Sequence, residues 1–296
     1  MRCKFCDSQW IVKNGKPRRK QMWKCKMCKR RFVNPSNFER AWYSARLISF
    51  TLDLFYQNVS LRKIQKDIYW YYGRKVSIST LYRWIIKYSA LVKEITDKYK
   101  TRASKIWRVD EMCVMINGNK NWYWGILDAP SRFLMTTHFS TTRSANQARI
   151  LFEKGRKRCF RPYPEEFTIL TDGLGSYKKS VFKVFVKTRK YLKVPMIGEM
   201  REVRPVARHI SAIKFKDINY NNNLIERIWG SVRDDRLRCI RGFRSFETAK
   251  KIMEGYEVYY NFLRPHQSLD GKTPAEVLMG LKFRKRWVDL IKMAQH

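Results

Sequence analysis

Two hydrophobic periods divide the chain. From Phe38 to about Tyr56, apolar residues recur at helical intervals (Trp42, Ala45, Leu47 with Ile48, Leu52, Phe55), which predicts an amphipathic helix. Ser60 opens a second such segment with Leu61, Ile64 and Ile68 on one stripe, and Gly73 interrupts it. Ser77 or Ser79 is suited to cap a third helix, whose buried side is Leu81, Trp84, Ile85 and Tyr88. Past residue 105 the period shortens to that of strands. Trp107 to Ile116 is closed by Asn117-Gly118, a strong hairpin signal. Trp122 to Leu127 and Phe133 to Phe139 predict the next two strands, joined across Asp128-Ala129-Pro130-Ser131. A helical pattern follows over Ser144 to Arg156, then a strand from Phe167 to Leu170 that ends at Thr171-Asp172-Gly173.

Helix, glycine-containing break and capped helix is the layout of a helix-turn-helix. In that layout Thr80, Arg83 and Lys87 face outward, where a major-groove reader needs them. An ordinary helical hairpin leaves the same pattern. Three antiparallel strands, a helix, another strand and further helices is the order of a ribonuclease-H-like α/β fold with a mixed sheet. The Lys/Arg-rich stretch from Lys93 to Lys105 predicts a hinge between the two halves. Phe283, Trp287, Leu290 and Ile291, at helical spacing near the end, predict a helix that packs rather than one that recruits a partner. The expected domains are therefore 1–35, 36–100 and 101–280, followed by a C-terminal helix over 281–296.

Charge narrows the function. The 296 residues carry 63 Lys and Arg against 25 Asp and Glu, a net charge of +38. A small anionic substrate needs one or two cations, whereas a nucleic acid offers a continuous rail of phosphates. No apolar run has transmembrane length and no signal-peptide pattern opens the chain, so the expectation is a cytoplasmic protein with no membrane role.

Four of the seven cysteines form two pairs, Cys3/Cys6 and Cys25/Cys28, with 18 residues between the pairs. Two C-x₂-C knuckles at this separation predict a zinc ribbon, in which four thiolates surround Zn²⁺ tetrahedrally. A redox-active dithiol is the competing reading. So short a segment needs the metal in order to fold. Between the pairs, Lys13, Lys16, Arg18, Arg19, Lys20 and Lys24 alternate with Trp10 and Trp23, which suits a phosphate-binding face or a cover for the metal. Cys113, Cys159 and Cys239 are expected to be buried thiols without a metal role.

Three acids stand out in the second half. Asp110 lies inside an apolar strand, where a carboxylate is costly unless a cation balances it. Asp172 falls at the end of the fourth strand, where sheet-based sites gather ligands, although a turn before Gly173 also accounts for it. Glu226 lies near the start of a helix. Asn223 could be its N-cap, with Glu226 reaching back in a capping box. Arg233, seven residues further on, shares its face and could touch a phosphate. Together, two aspartates and a glutamate form a hard oxygen set for Mg²⁺ or Mn²⁺ in phosphodiester chemistry.

Trp107-Arg108-Val109-Asp110-Glu111, Thr171-Asp172-Gly173 with Ser176-Tyr177, and Asn222-Asn223-Leu224-Ile225-Glu226-Arg227 resemble the three catalytic blocks of prokaryotic insertion-sequence transposases of the Asp-Asp-Glu superfamily. The run Tyr260 to Leu269, followed by Gly271 to Glu276, is similar to the end of many of these enzymes and of retroviral-type integrases. The nearest likeness is to the insertion-sequence-six kind, in its archaeal form with a zinc ribbon. The resemblance implies an enzyme that binds the terminal inverted repeats of its element, nicks at the 3′ ends and joins them to target DNA. Asp110, Asp172 and Glu226 would hold the metal ions, Arg233 would match the basic residue after the glutamate, and a homodimer or larger assembly would pair two ends in the nucleoid. Two departures are visible. The 53 residues between Asp172 and Glu226 point to an insertion between Lys183 and Asp217, and Trp229 stands where relatives often carry histidine. A DNA-binding regulator without catalysis and a nuclease that cuts without joining are the rival readings.

Overall fold

A computed structural model describes residues 3, 5–6, 8–16, 21–33, 43–102, 104–160, 167–190, 201–205, 207–211, 222–233, 240 and 242–294. Three short antiparallel strands come first: β1 (Ile11–Lys13), β2 (Met22–Cys25) and β3 (Arg31–Val33). Cys3, Cys25 and Phe32 form a core separate from the rest, with Ile11, Trp23 and Cys28 against it. So few apolar atoms cannot offset the entropy of ordering three strands.

Three helices follow: α1 (Ala45–Tyr56), α2 (Leu61–Tyr72) and α3 (Ile78–Thr96). Residues 38–42 of the predicted first helix lie outside the described residues. Ser44, Ser60 and Ser77 cap the three helices, each hydroxyl accepting a backbone N–H from the first turn. Gly73 ends α2 at φ 60°, a left-handed conformation that glycine adopts without a Cβ penalty. Leu81, Trp84, Ile85 and Tyr88 are buried as the period predicts.

The expected hinge is partly helix. α3 runs on to Thr96, and Lys93 is buried, because its ammonium meets a carboxylate on a distant helix.

The second half builds one mixed sheet. Its strands are β5 (Ile106–Ile116), β6 (Asn119–Asp128), β7 (Leu134–Ser140), β9 (Thr168–Thr171) and β12 (Arg208–Ser211). β4 (Thr101–Arg102) and β8 (Cys159–Phe160) pair in parallel as a separate two-stranded sheet. Spatial order is β12-β9-β5-β6-β7, with β6 antiparallel to its neighbours and β9 and β12 parallel to β5. This is the ribonuclease-H-like arrangement that the element order predicts. Asn117 and Gly118 make the hairpin with φ 48° and 78°, the double left-handed turn that matches strand twist.

Helices α4 (Ala145–Arg158) and α5 (Gly175–Val184) cover one face, with Trp124 against Tyr177 and Gly155 over Ile126. Helices α6 (Asn223–Ser231) and α7 (Phe246–Phe262) cover the other, where Tyr123 packs on Trp229 and donates to the Met253 carbonyl. A hairpin of β10 (Val186–Lys190) and β11 (Arg201–Pro205) falls within the stretch expected to hold an insertion.

Short α8 (Pro274–Met279) and α9 (Trp287–Met293) finish the described chain. Trp287 stacks on Tyr56 of α1, and Arg286 pairs with Asp53, so the last helix does pack as expected. Cys159 is buried. Cys113 is not: from Met112 onward β5 alternates buried and exposed, and Cys113 shares the open side with Met115. Cys239 lies outside the described residues. Among the described residues no helix is long and apolar enough to cross a membrane.

Helical and sheet halves are welded together. The C-terminal turns of α3 lie along α7, and Gly255 permits the approach: a Cβ there would sit 2.0 Å from the Tyr56 hydroxyl and 2.5 Å from Ser89 Oγ. Beside it Lys93 Nζ meets Glu257 Oε1 at 2.9 Å and Asp97 Oδ1 at 2.5 Å. Arg158 Nη1 meets Asp97 at 2.8 Å and Glu257 at 3.4 Å, and Thr137 donates to Glu257 Oε2 at 2.5 Å. Two cations and two carboxylates from α3, α4 and α7 thus close on one another.

Candidate active site

Sheet register alone brings the first two acids together. Val109 of β5 lies opposite Thr171 of β9, and the next residues on the two parallel strands are Asp110 and Asp172. β9 stops there, freeing Asp172, whose Oδ1 accepts the Leu174 N–H at 3.0 Å in the turn to α5. The third element meets the same point: Asn222 donates its amide to the Val109 carbonyl at 3.0 Å and starts α6, on which Glu226 is exposed four residues later.

Trp229 fixes the seating of α6. On its other side Asp110 pairs across the strands with Gly125, and the Trp229 indole fills the space over that glycine. A Cβ at Gly125 would fall 2.7 Å from the ring. The large residue where relatives often have histidine therefore serves as the packing foot of this helix.

The capping alternative for Glu226 is not realised. Asn222, not Asn223, is the cap residue, and no side-chain cap hydrogen bond forms, because the Asn222 amide is committed to β5. Glu226 is exposed; its charge adds to the field on Asp110, but its carboxylate is not among those that lie within 4.8 Å of one another.

Carboxylate oxygens of Asp110, Glu111 and Asp172 all lie within 4.8 Å of one another. Burial, followed by the charges of Glu111, Asp172 and Glu226, pushes the Asp110 carboxyl up to about 7. Burial likewise raises Glu111. Like charges held this close demand a cation, and an all-oxygen donor set fits a hard divalent ion such as Mg²⁺ or Mn²⁺.

Glu111, Arg143 and Tyr177 form a bracket around the site that the sequence did not single out as functional. Glu111 points to the α5 face, where the Tyr177 hydroxyl and the Arg143 guanidinium both donate to it. Arg143 Nη2 also lies 3.6 Å from Asp172 Oδ2, and its guanidinium stacks 4.8 Å over Trp122. The Asp110-Glu111 doublet was the available clue to Glu111. Arg143, alone in the loop before α4, offered none.

The remaining predicted residues fall as follows. Cys3, Cys6, Cys25 and Cys28 converge with all four sulfurs within 4.8 Å, Cys3 to Cys28 and Cys6 to Cys25 at 3.6 Å. Zinc–sulfur bonds of about 2.3 Å require sulfur separations of about 3.8 Å in a tetrahedron, so the set fits Zn²⁺. Trp23 covers that core and Trp10 is exposed, while residues 17–20 of the basic loop lie outside the described residues. Arg83 and Lys87 are exposed on α3, and Thr80 is half-buried and hydrogen-bonded to the Ser77 cap at 2.9 Å. Arg233 is exposed just past α6. His209 meets Thr171 Oγ1 at 2.9 Å, and His266 contacts the Tyr260 carbonyl, both structural roles.

Family comparisons bracket the same residues. A DDE domain profile matches residues 104–197 and an integrase core domain profile matches residues 218–274. The chain is 26% identical over 190 residues to the transposase for insertion sequence element IS257 in transposon Tn4003 of Staphylococcus aureus, covering 64% of this chain and 72% of that one. It is equally similar, over 188 residues, to the transposase for insertion sequence-like element IS431mec of the same species, covering 64% and 71%. Among solved structures it resembles the HTLV-2 integrase catalytic core domain in complex with magnesium, at 12% identity and a TM-score of 0.38, covering 61% of this chain and 98% of that one. It also resembles a chain of the simian T-cell lymphotropic virus intasome in complex with PP2A regulatory subunit B56 gamma, at 13% identity and a TM-score of 0.40, covering 60% and 55%. Sheet order, not these loose overlays, identifies the fold.

A mixed sheet of this order, bearing DDE and integrase-core domains, defines a metal-dependent polynucleotidyl transferase. The chain carries the DDE and integrase-core domains of DNA transposases of the insertion-sequence kind, and it is 26% identical to two of them.

Proposed function

We propose that Asp110, Asp172 and Glu226 are the catalytic metal ligands, and that they drive 3′-end cleavage at the terminal inverted repeats of the element and strand transfer into target DNA. The observation that carries this reading is the register of β5 and β9, which sets Asp110 beside Asp172 while α6 brings Glu226 into their field. Divalent metal ions, when bound, supply Lewis-acid activation of the attacking oxygen and charge stabilisation of the leaving one. The chain's own residues orient that chemistry. Asn222 and Trp229 lock α6 to the sheet, and Tyr177 with Arg143 holds the Glu111 carboxylate in place beside Asp110 and Asp172. Arg233 faces solvent beyond α6 as a phosphate contact.

The rest of the chain serves DNA. Residues 1–35 are a zinc ribbon in which Cys3, Cys6, Cys25 and Cys28 hold Zn²⁺, supported by the sulfur spacing. Residues 36–100 are a helix-turn-helix in which Thr80, Arg83 and Lys87 of α3 read the major groove. Residues 101–280 form the catalytic domain, and 281–296 clasp the two halves together through α9. Two element ends require a homodimer or larger assembly, acting on double-stranded DNA at the nucleoid in the cytoplasm.

The test is strand transfer of an end-containing oligonucleotide with Mg²⁺ or Mn²⁺. Joined product is the expected result. Cleavage without joining would make the protein a nuclease, and binding without chemistry in either metal would make it a regulator.

A further inference from the structure

Helix α2 carries more apolar surface outside than inside. Only Ile64 and Ile68 are buried, yet its last turn ends in Tyr69, Trp70, Tyr71 and Tyr72, all exposed. Trp70 and Tyr71 are each 79% exposed, so neither contributes much to the core. Tyr72 leans on Phe50, and Tyr69 meets the Trp70 ring edge-on at 6.2 Å. Such a patch costs solubility unless something covers it.

Its surroundings say what does. Tyr69 and Trp70 line a shallow groove with Lys66, Lys75 and Ser77, and Ser77 is the cap residue of α3. Between residues 61 and 83 there are six Lys and Arg and a single acid, Asp67. A second copy of this chain would set like charge against like charge there, whereas a polyanion with flat aromatic faces matches both the cations and the rings.

The paired interior of a duplex buries its base faces, so rings at this position can stack only where a base has left the helix.

We propose that the exposed aromatic turn Tyr69–Tyr72 and the adjoining groove bind unpaired nucleobases of DNA. Trp70 and Tyr71 stack on bases beside the duplex that α3 grips, and Lys66 and Lys75 hold the flanking phosphates. This rests on the reading of α2 and α3 as a DNA-binding unit. It adds that the unit distinguishes open from closed DNA, as a protein must that works where strands are nicked and exchanged.

Fluorescence anisotropy at fixed salt tests it with two probes: a 20-base-pair duplex, and the same duplex with an eight-nucleotide dT extension carrying 2-aminopurine. The full-length protein is expected to prefer the extended probe and to change its 2-aminopurine emission. In Trp70→Ala with Tyr71→Ala that preference should fall by about 10-fold or more, the range for losing base stacking. Blunt-duplex affinity should change by less than about 2-fold, and Trp70→Phe should keep most of the preference. Both side chains are exposed, so an unchanged melting temperature serves as the folding control. Equal loss on both probes, no loss on either, or a changed oligomeric state with tail binding intact would overturn the proposal alone. Failure of the unaltered protein to bind either probe would also overturn the DNA-binding reading beneath it.

Discussion

Two clusters of charged side chains sit within one fold, and they are built to opposite specifications. Where α3, α4 and α7 meet, Lys93 and Arg158 face Asp97 and Glu257, two charges of each sign, with Thr137 occupying another carboxylate oxygen. At the meeting of β5, β9 and α6, three carboxylates (Asp110, Glu111 and Asp172) lie within 4.8 Å of one another and Glu226 adds a fourth negative charge to their field, with Arg143 as the cation paired to Glu111 and Asp172 among the described residues. The first cluster is electrically closed. The second is left open by about three positive charges, and in a chain of net +38 that shortage is not for want of cations. Electrostatic incompleteness therefore separates the site from the scaffold more sharply than burial or charge density does.

The comparison breaks first if the open cluster proves to be structural. Asp110→Asn, Asp172→Asn and Glu226→Gln should each lower strand transfer by on the order of 10³-fold or more. Thermal stability of the metal-free protein should hold or rise, since each change removes like-charge repulsion. A large drop in melting temperature in any of the three would instead show that the carboxylates hold the fold.

Much of this was legible in the chain. Ser60, Gly73 and Ser77 bound α2 and α3, Asn117-Gly118 turns the hairpin, and the register of β5 and β9 sets Asp110 beside Asp172. What stayed hidden depends on tertiary proximity. Strand alternation sends Glu111 to the face opposite Asp110, so its adjacency to Asp110 in the sequence was the only sign of it. Lys93 read as a solvated hinge charge because its partner, Glu257, lies 164 residues away. Glu226 could pass for a capping residue because a cap at Asn223 would put it at N3; the helix starts one residue earlier, where the Asn222 amide is bound to Val109.

The closed cluster should respond in the converse way. Glu257→Ala leaves Lys93 and Arg158 buried with Asp97 alone, and should cost about 3–5 kcal/mol in chemical denaturation. Activity per folded molecule should stay near that of the unaltered protein. Equal stability would mean that the network contributes nothing.

A third change sharpens the boundary between scaffold and site. Gly125→Ala drives a methyl group into the Trp229 ring, an overpacking cost of about 1–3 kcal/mol. Because α6 must shift to relieve it, strand transfer should fall further than stability does, and Trp229→Leu in the same chain should restore part of it.

The smallest effect is a control on pH. Burial, with Arg264 nearby, depresses the folded His266 to about 4, below its ordinary value of 6.5. The unfolded chain then takes up this proton first, so stability is full above about pH 6.5 and declines as pH falls toward 4. His266→Asn should flatten that part of the stability curve measured by urea denaturation. An unchanged curve would show that the histidine is not held neutral.

The central claim is that the open cluster is completed by divalent cations. Mn²⁺ counted by electron paramagnetic resonance on the protein–DNA complex tests it most directly. Two tightly held ions per active subunit are expected in the unaltered protein and in Glu257→Ala, with loss of both in the combined Asp110→Asn, Asp172→Asn, Glu226→Gln variant. The same Mn²⁺ occupancy in that triple variant would contradict the account.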